Sequence, residues 1–211
     1  MKRIATAAAA VVLMAVTAVQ ADRRPQAILT VRLYNTSGIP TGQLLAARRS
    51  ATAILVDAGI EVAFRHCGTP VPGEPADPCT ETVKPAEIVV RIIDAPRFNL
   101  LLRPEALGVA HVVARTNRGW LATVFADRTA RAAARVDIEP GTLLGRVMAH
   151  EVGHLLLGDG YHGNAGLMRA EWPDARLNRT DDWRFSLGEA ARIHRALKSM
   201  AGIPAATSPT S

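Results

Sequence analysis

The chain reads as an α/β domain: a mixed, twisted sheet of about five strands with a backing helix, a long apolar helix carrying two histidines, and a C-terminal helix. Three observations carry this reading. Apolar runs at 27–34, 60–66 and 87–94, with one helical pattern at 41–58, give a strand–helix–strand–strand order. Two more runs, 107–114 and 120–126, flank a turn at 116–119 and form a hairpin. A stretch at 141–157, mostly Leu, Val, Met and Ala, lies between Pro140 and Gly158, which suit a helix start and stop.

Taken in order, strand 27–34 ends in a turn over 35–40, and Thr41 is placed to cap the backing helix. That helix puts Leu44, Leu45, Ala51, Ile54 and Leu55 near helical spacing and stops at Gly59. A strand, a helix and a second strand in one sheet imply a right-handed crossover. A short helix over 127–135 leads into the histidine-bearing helix. The last helix spans 183–200, with Leu187, Ala190, Ile193, Leu197 and Met200 on one face. Ser186-Leu187-Gly188-Glu189 has the form of a capping box, which gives Glu189 a structural task.

The chemistry is concentrated in His150-Glu151-Val152-Gly153-His154. Histidines four apart lie one turn apart on one helix face, so both imidazoles can reach one metal ion. Glu151, next to the first histidine, is placed to act as a general base on water. An apolar helix burying two histidines and a glutamate needs partners for them, and a metal supplies those partners. Catalytic zinc takes three protein ligands and leaves one position open. His162 is the first candidate for the third ligand, because Gly158 lets the chain turn back after the helix. Asp159 and a downstream carboxylate, Glu171 or Glu189, stay open as alternatives. Tyr161 is a candidate donor to an oxyanion or to substrate, and a partly buried loop tyrosine is the plainer reading.

The segment 140–172 resembles the metzincin branch of the zincins, with the signature HExxHxxGxxH followed by a Met-turn. In this chain the glycine falls one residue later and His162 two residues later than that signature places them. The arrangement is more similar to small secreted bacterial proteins with the pattern HExxHxLLGxxxHxxxGxM, and 106–139 resembles that group more weakly. The resemblance implies an α+β zincin-like fold and one catalytic Zn2+ held by His150, His154 and His162. It also implies Glu151 as the catalytic base and Met168 as the Met-turn residue, a position that also suits core packing. Residues 123–126 would belong to the edge strand that pairs with an extended substrate.

Lys2-Arg3, an uncharged run from Ile4 to Val19, and Val19-Gln20-Ala21 read as a signal peptide over 1–21. The catalytic domain is then expected over 22–203, and 204–211 as a disordered tail. The expected protein is secreted or periplasmic, monomeric and not inserted in a membrane after cleavage. The formal net charge is +6, and loss of Lys2 and Arg3 leaves +4. The basic residues are scattered, without interleaved aromatics, which argues against nucleic-acid binding. Cys67 and Cys79 flank a Pro/Gly-rich loop, and in an exported protein they form a disulfide worth about 2–3 kcal/mol in the chain-entropy model. A role for Cys67 as a thiolate cap on the metal is the lesser alternative. His66, His111 and His194 lack metal-ligand spacing, while Phe125, Tyr161 and Trp172 are candidates for a specificity pocket or for core. The expected activity is zinc-dependent peptide hydrolysis on a peptide or protein substrate. The alternatives are a non-catalytic zinc-binding envelope protein and a zinc hydrolase acting on cell-wall peptide amides.

Overall fold

Five strands make one sheet: β1 (Leu29–Asn35), β2 (Val62–Cys67), β3 (Glu87–Ile93), β4 (Gly108–Val113) and β5 (Arg118–Phe125). Their order is β2-β1-β3-β5-β4, all parallel except β4, which runs antiparallel to β5. The computed structural model describes residues 28–68, 73, 77, 79–96, 103–116, 118–158 and 160–202. The expected signal peptide, the tail and Asp159 lie outside them. Among the described residues, no helix is long and apolar enough to cross a membrane.

The register explains where the core sits. Val31 pairs with Ile88, Leu33 with Val90, Val90 with Ala122 and Ile92 with Val124. Paired residues share a face, so these side chains form one apolar surface, and each is at most 1% exposed. They join one cluster with Leu44, Ala47 and Leu55 of α1 (Thr41–Asp57) and Leu143, Leu144 and Met148 of α3 (Pro140–Leu157). The opposite face carries a buried ion pair between Arg32 and Glu87 at 2.5 Å. Arg32 also donates to the carbonyls of Glu81 at 2.6 Å and Thr82 at 3.1 Å, which satisfies the loop that crosses from β2 to β3. Cys67 and Cys79 close that loop as a disulfide, as expected, which leaves no thiolate for the metal-capping role of Cys67.

Several local expectations need correction. Thr41 is the first helical residue rather than the cap; Pro40 precedes it and no side chain caps α1. β5 is not an edge strand. β4 folds back along it, with Gly108 opposite Val124, so the free edge belongs to β4 and Ala126 already opens α2 (Ala126–Arg135). The last helix, α5 (Leu187–Ala201), starts at the expected capping box, but Leu187 is 92% exposed because it lies in the first turn, outside the packed face. A four-residue helix, α4 (Asp174–Leu177), has no clear periodic signal in the sequence. The hairpin register shifts between His111 and Val112, which pair with Leu121 and Gly119, so Trp120 is the extra residue of a bulge and stays 53% exposed.

α3 starts where Glu139 accepts from the backbone N–H groups of Gly141 (2.8 Å) and Thr142 (2.5 Å), with Pro140 in the first turn. It then packs unusually close to α1. A Cβ on Gly141 would fall 2.5 Å from the Gln43 carbonyl oxygen, and one on Gly145 would collide with the Ala47 carbonyl. Backbone cannot swing aside, so Gly145→Val should cost about 3 kcal/mol. Thermal or denaturant unfolding followed by circular dichroism checks this, and an unchanged midpoint would show that the helices have room to separate.

Candidate metal centre

α3 brings His150 and His154 to one face, with their Nε2 atoms 3.0 Å apart. Two nitrogens on one tetrahedral zinc, each about 2.0–2.1 Å from it, lie about 3.3 Å apart, so one ion fits between them after a small adjustment. His150 Nδ1 is 2.8 Å from the Leu167 carbonyl oxygen. A carbonyl only accepts, so Nδ1 carries the proton and Nε2 keeps its lone pair facing His154. Chain reversal after α3 brings in His162, and the ligand atoms of His150, His154 and His162 all lie within 4.8 Å of one another. His162 is the exposed member of the group.

The electrostatics favour neutral ligands. Burial, together with the neighbouring His154 and His162, pushes His150 down to about 3 against the opposing Leu167 bond. His162 is also lowered, by burial first and then by Arg103. Burial pushes the Glu151 carboxyl up to about 8. Its side chain rests against β4: a Cβ on Gly108 would fall 2.6 Å from Glu151 Oε1.

The three histidines and Glu151 line a cleft of about 720 Å³. One wall is the β4 edge, with Gly108, Val109, Ala110 and Val112; the other holds Trp172, Pro173 and Leu177. Trp172 packs edge-on to His150, with ring centres 4.7 Å apart, and contacts Trp183 behind it. Arg128 donates to the carbonyls of Arg103 and Ala106, fixing the segment that leads into β4.

No family model and no curated protein matches the chain. Among solved structures it is similar to the crystal structure of archaemetzincin from Methanopyrus kandleri, with a TM-score of 0.50 and 16% identity, covering 83% of this chain and 99% of that one. The chain has an archaemetzincin-like fold. At this identity the likeness speaks for the fold, and the centre rests on the residues described above.

Met168 is buried against α3: a Cβ on Gly153 would collide with its sulfur and come within 2.9 Å of Phe185. Glu171 lines the cleft but is not one of the grouped ligand residues. Glu189 is 3% exposed, caps α5 and is not one of the grouped ligand residues. Tyr161 and Phe125 are not among the cleft-lining residues. The Tyr161 ring lies under Arg192 at 4.4 Å, and Phe125 is 1% exposed beneath Arg128. Of the three aromatic candidates, only Trp172 reaches the cleft. His66 sits 2.8 Å from Arg48, and His194 lies 2.9 Å from the Ala58 carbonyl, both away from the cleft. Sequence reading missed Gly108, the Leu167 carbonyl and Arg128. A lone glycine, a main-chain oxygen and a surface arginine carry no spacing signal.

The raised Glu151 carboxyl has a consequence for stability. Without metal, it ionises from about 4.5 upward in the unfolded chain but only near 8 in the folded one, so its contribution is lost as pH rises through that window. Glutamine does not titrate. Glu151→Gln should therefore raise the metal-free melting temperature, and by more at pH 8 than at pH 5. Scanning calorimetry in chelator decides this, and equal gains at both pH values would mean that the folded chain ionises Glu151 freely.

Proposed function

We propose that the chain is an exported zinc-dependent metallopeptidase that cleaves within peptide chains. The observation that carries this is the convergence of His150, His154 and His162 beside Glu151 in a cleft bordered by a free strand edge. Three grouped imidazoles suit a catalytic zinc. A bound zinc ion would supply Lewis-acid polarisation of a water and of the substrate carbonyl. Glu151 would take the proton of the attacking water on its carboxylate and return it to the leaving amine. Leu167 would keep the proton on His150 Nδ1, and Trp172 would shield that ring from bulk water. The edge of β4 offers unpaired main-chain groups to an extended peptide, a mode of recognition that demands little of its side chains. The disulfide supports an oxidising compartment, and with it export.

The test is proteolysis of a diverse peptide pool by the zinc-loaded chain, read by mass spectrometry. Wild type should cleave, and Glu151→Ala should lose about 10²–10⁴-fold in rate while keeping its zinc. Chelation should abolish cleavage and added zinc should restore it. A wild-type chain that holds zinc and leaves every peptide intact would sink the peptidase reading.

A further inference from the structure

His162 stands in a loop, yet it must be held at a fixed distance from two histidines on a rigid helix. α5 packs beneath that loop and reaches it through Glu189 and Arg192, one turn apart. Glu189 accepts from the Ser186 N–H through Oε2 at 2.7 Å, which completes the capping box. One oxygen is enough for that task. The other, Oε1, faces the backbone beside His162: a Cβ on Gly163 would fall 2.9 Å from it. Arg192 places its guanidinium 4.4 Å over the ring of Tyr161, the residue before His162. It also donates to the Leu157 carbonyl at 2.9 Å, at the end of the helix that carries the other two histidines. The Tyr161 hydroxyl lies close to the side chains of both Glu189 and Arg192. Beyond His162, the Gly163 N–H donates to the Met168 carbonyl at 2.7 Å. The segment seated on α5 thus continues to Leu167, whose carbonyl orients His150.

We propose that Glu189 and Arg192 are positioning residues that clamp residues 161–163 onto α5 and thereby set His162 against the metal. The inference rests on the zinc-site reading above. Outer partners of metal ligands commonly contribute about 10–100-fold to metal affinity, because an ordered ligand loses less freedom on binding. Arg192 ties the α3 terminus and the His162 loop to one side chain, so the clamp fixes the separation of the ligands as well as the place of one of them.

The experiment is zinc affinity of the full chain, measured by competition with a chromophoric chelator. Tyr161→Phe and Glu189→Gln are each made with and without His162→Ala, and circular dichroism confirms folding of the metal-free variants. Tyr161→Phe leaves the capping box untouched, so it decides alone if Glu189→Gln does not fold. With His162 present, each variant should weaken zinc about 10-fold. Without His162, each should match its parent within about twofold. If His162→Ala weakens zinc but the two variants do not, or weaken it equally in both backgrounds, the clamp is refuted and the site stands. If His162→Ala leaves affinity unchanged, His162 is not a ligand, and the site reading falls together with the clamp.

Discussion

Four polar side chains are buried in α3, and three of them, His150, Glu151 and His154, meet at one site; this constraint organises the rest. His150, Glu151 and His154 are 6%, 5% and 9% exposed, and every other residue from Leu143 to Leu157 is buried as well. Charged forms of such groups are costly in so apolar a setting. The fold meets the cost by biasing His150 and Glu151 toward their neutral forms and by turning imidazole nitrogens toward one point, where a single ion would satisfy them together. The Leu167 carbonyl is the one main-chain acceptor that decides which nitrogen of His150 faces inward.

To bring partners to this helix, the chain omits side chains at the points of contact. Gly145 admits the backbone of α1, Gly153 admits Met168 and Phe185, and Gly108 admits Glu151 against β4. The three contacts reach α3 from a helix, a loop and a strand. Gly153 also explains one of the two free positions within the histidine motif: any side chain there would occupy the space that Met168 fills. Close approach on several sides leaves the helix little freedom to rotate, and rotation would separate its histidines from His162.

The sequence made some of this legible and hid the rest, for physical reasons. The strands, the backing helix and the histidine helix follow from apolar periodicity, and the capping box at Ser186 marks the start of α5 by local chemistry alone. Spacing put His150 and His154 on one helix face with Glu151 beside the first of them, and the glycine after the helix let His162 come near. Residues 123–125 lie in an inner strand, the plainer of the two readings, rather than at the edge that the resemblance implies, because strand order depends on pairing between distant segments, which no local pattern encodes. Trp120 was hidden for a related reason, since a bulge is a property of two strands together. Tyr161 looked like a cleft residue by its nearness in sequence to His162, but successive side chains in an extended loop point opposite ways, and Tyr161 faces Arg192.

The open side of β4 has a cost of another kind. A strand with unsatisfied backbone groups is a template for any extended chain, including the same strand of a second molecule. At the other end of the sheet, the disulfide loop bridges back to β2 through Cys67 and Asp77 and partly blunts that edge. Among the described residues, β4 has no such cover along the cleft. It is only six residues long, its pairing is broken by the bulge at Trp120, and Arg115 and Arg118 bring positive charge to its far end. Two copies pairing in parallel along β4 would bring these arginines together across a short, twisted ladder. The features that keep the strand short and irregular therefore limit pairing between copies.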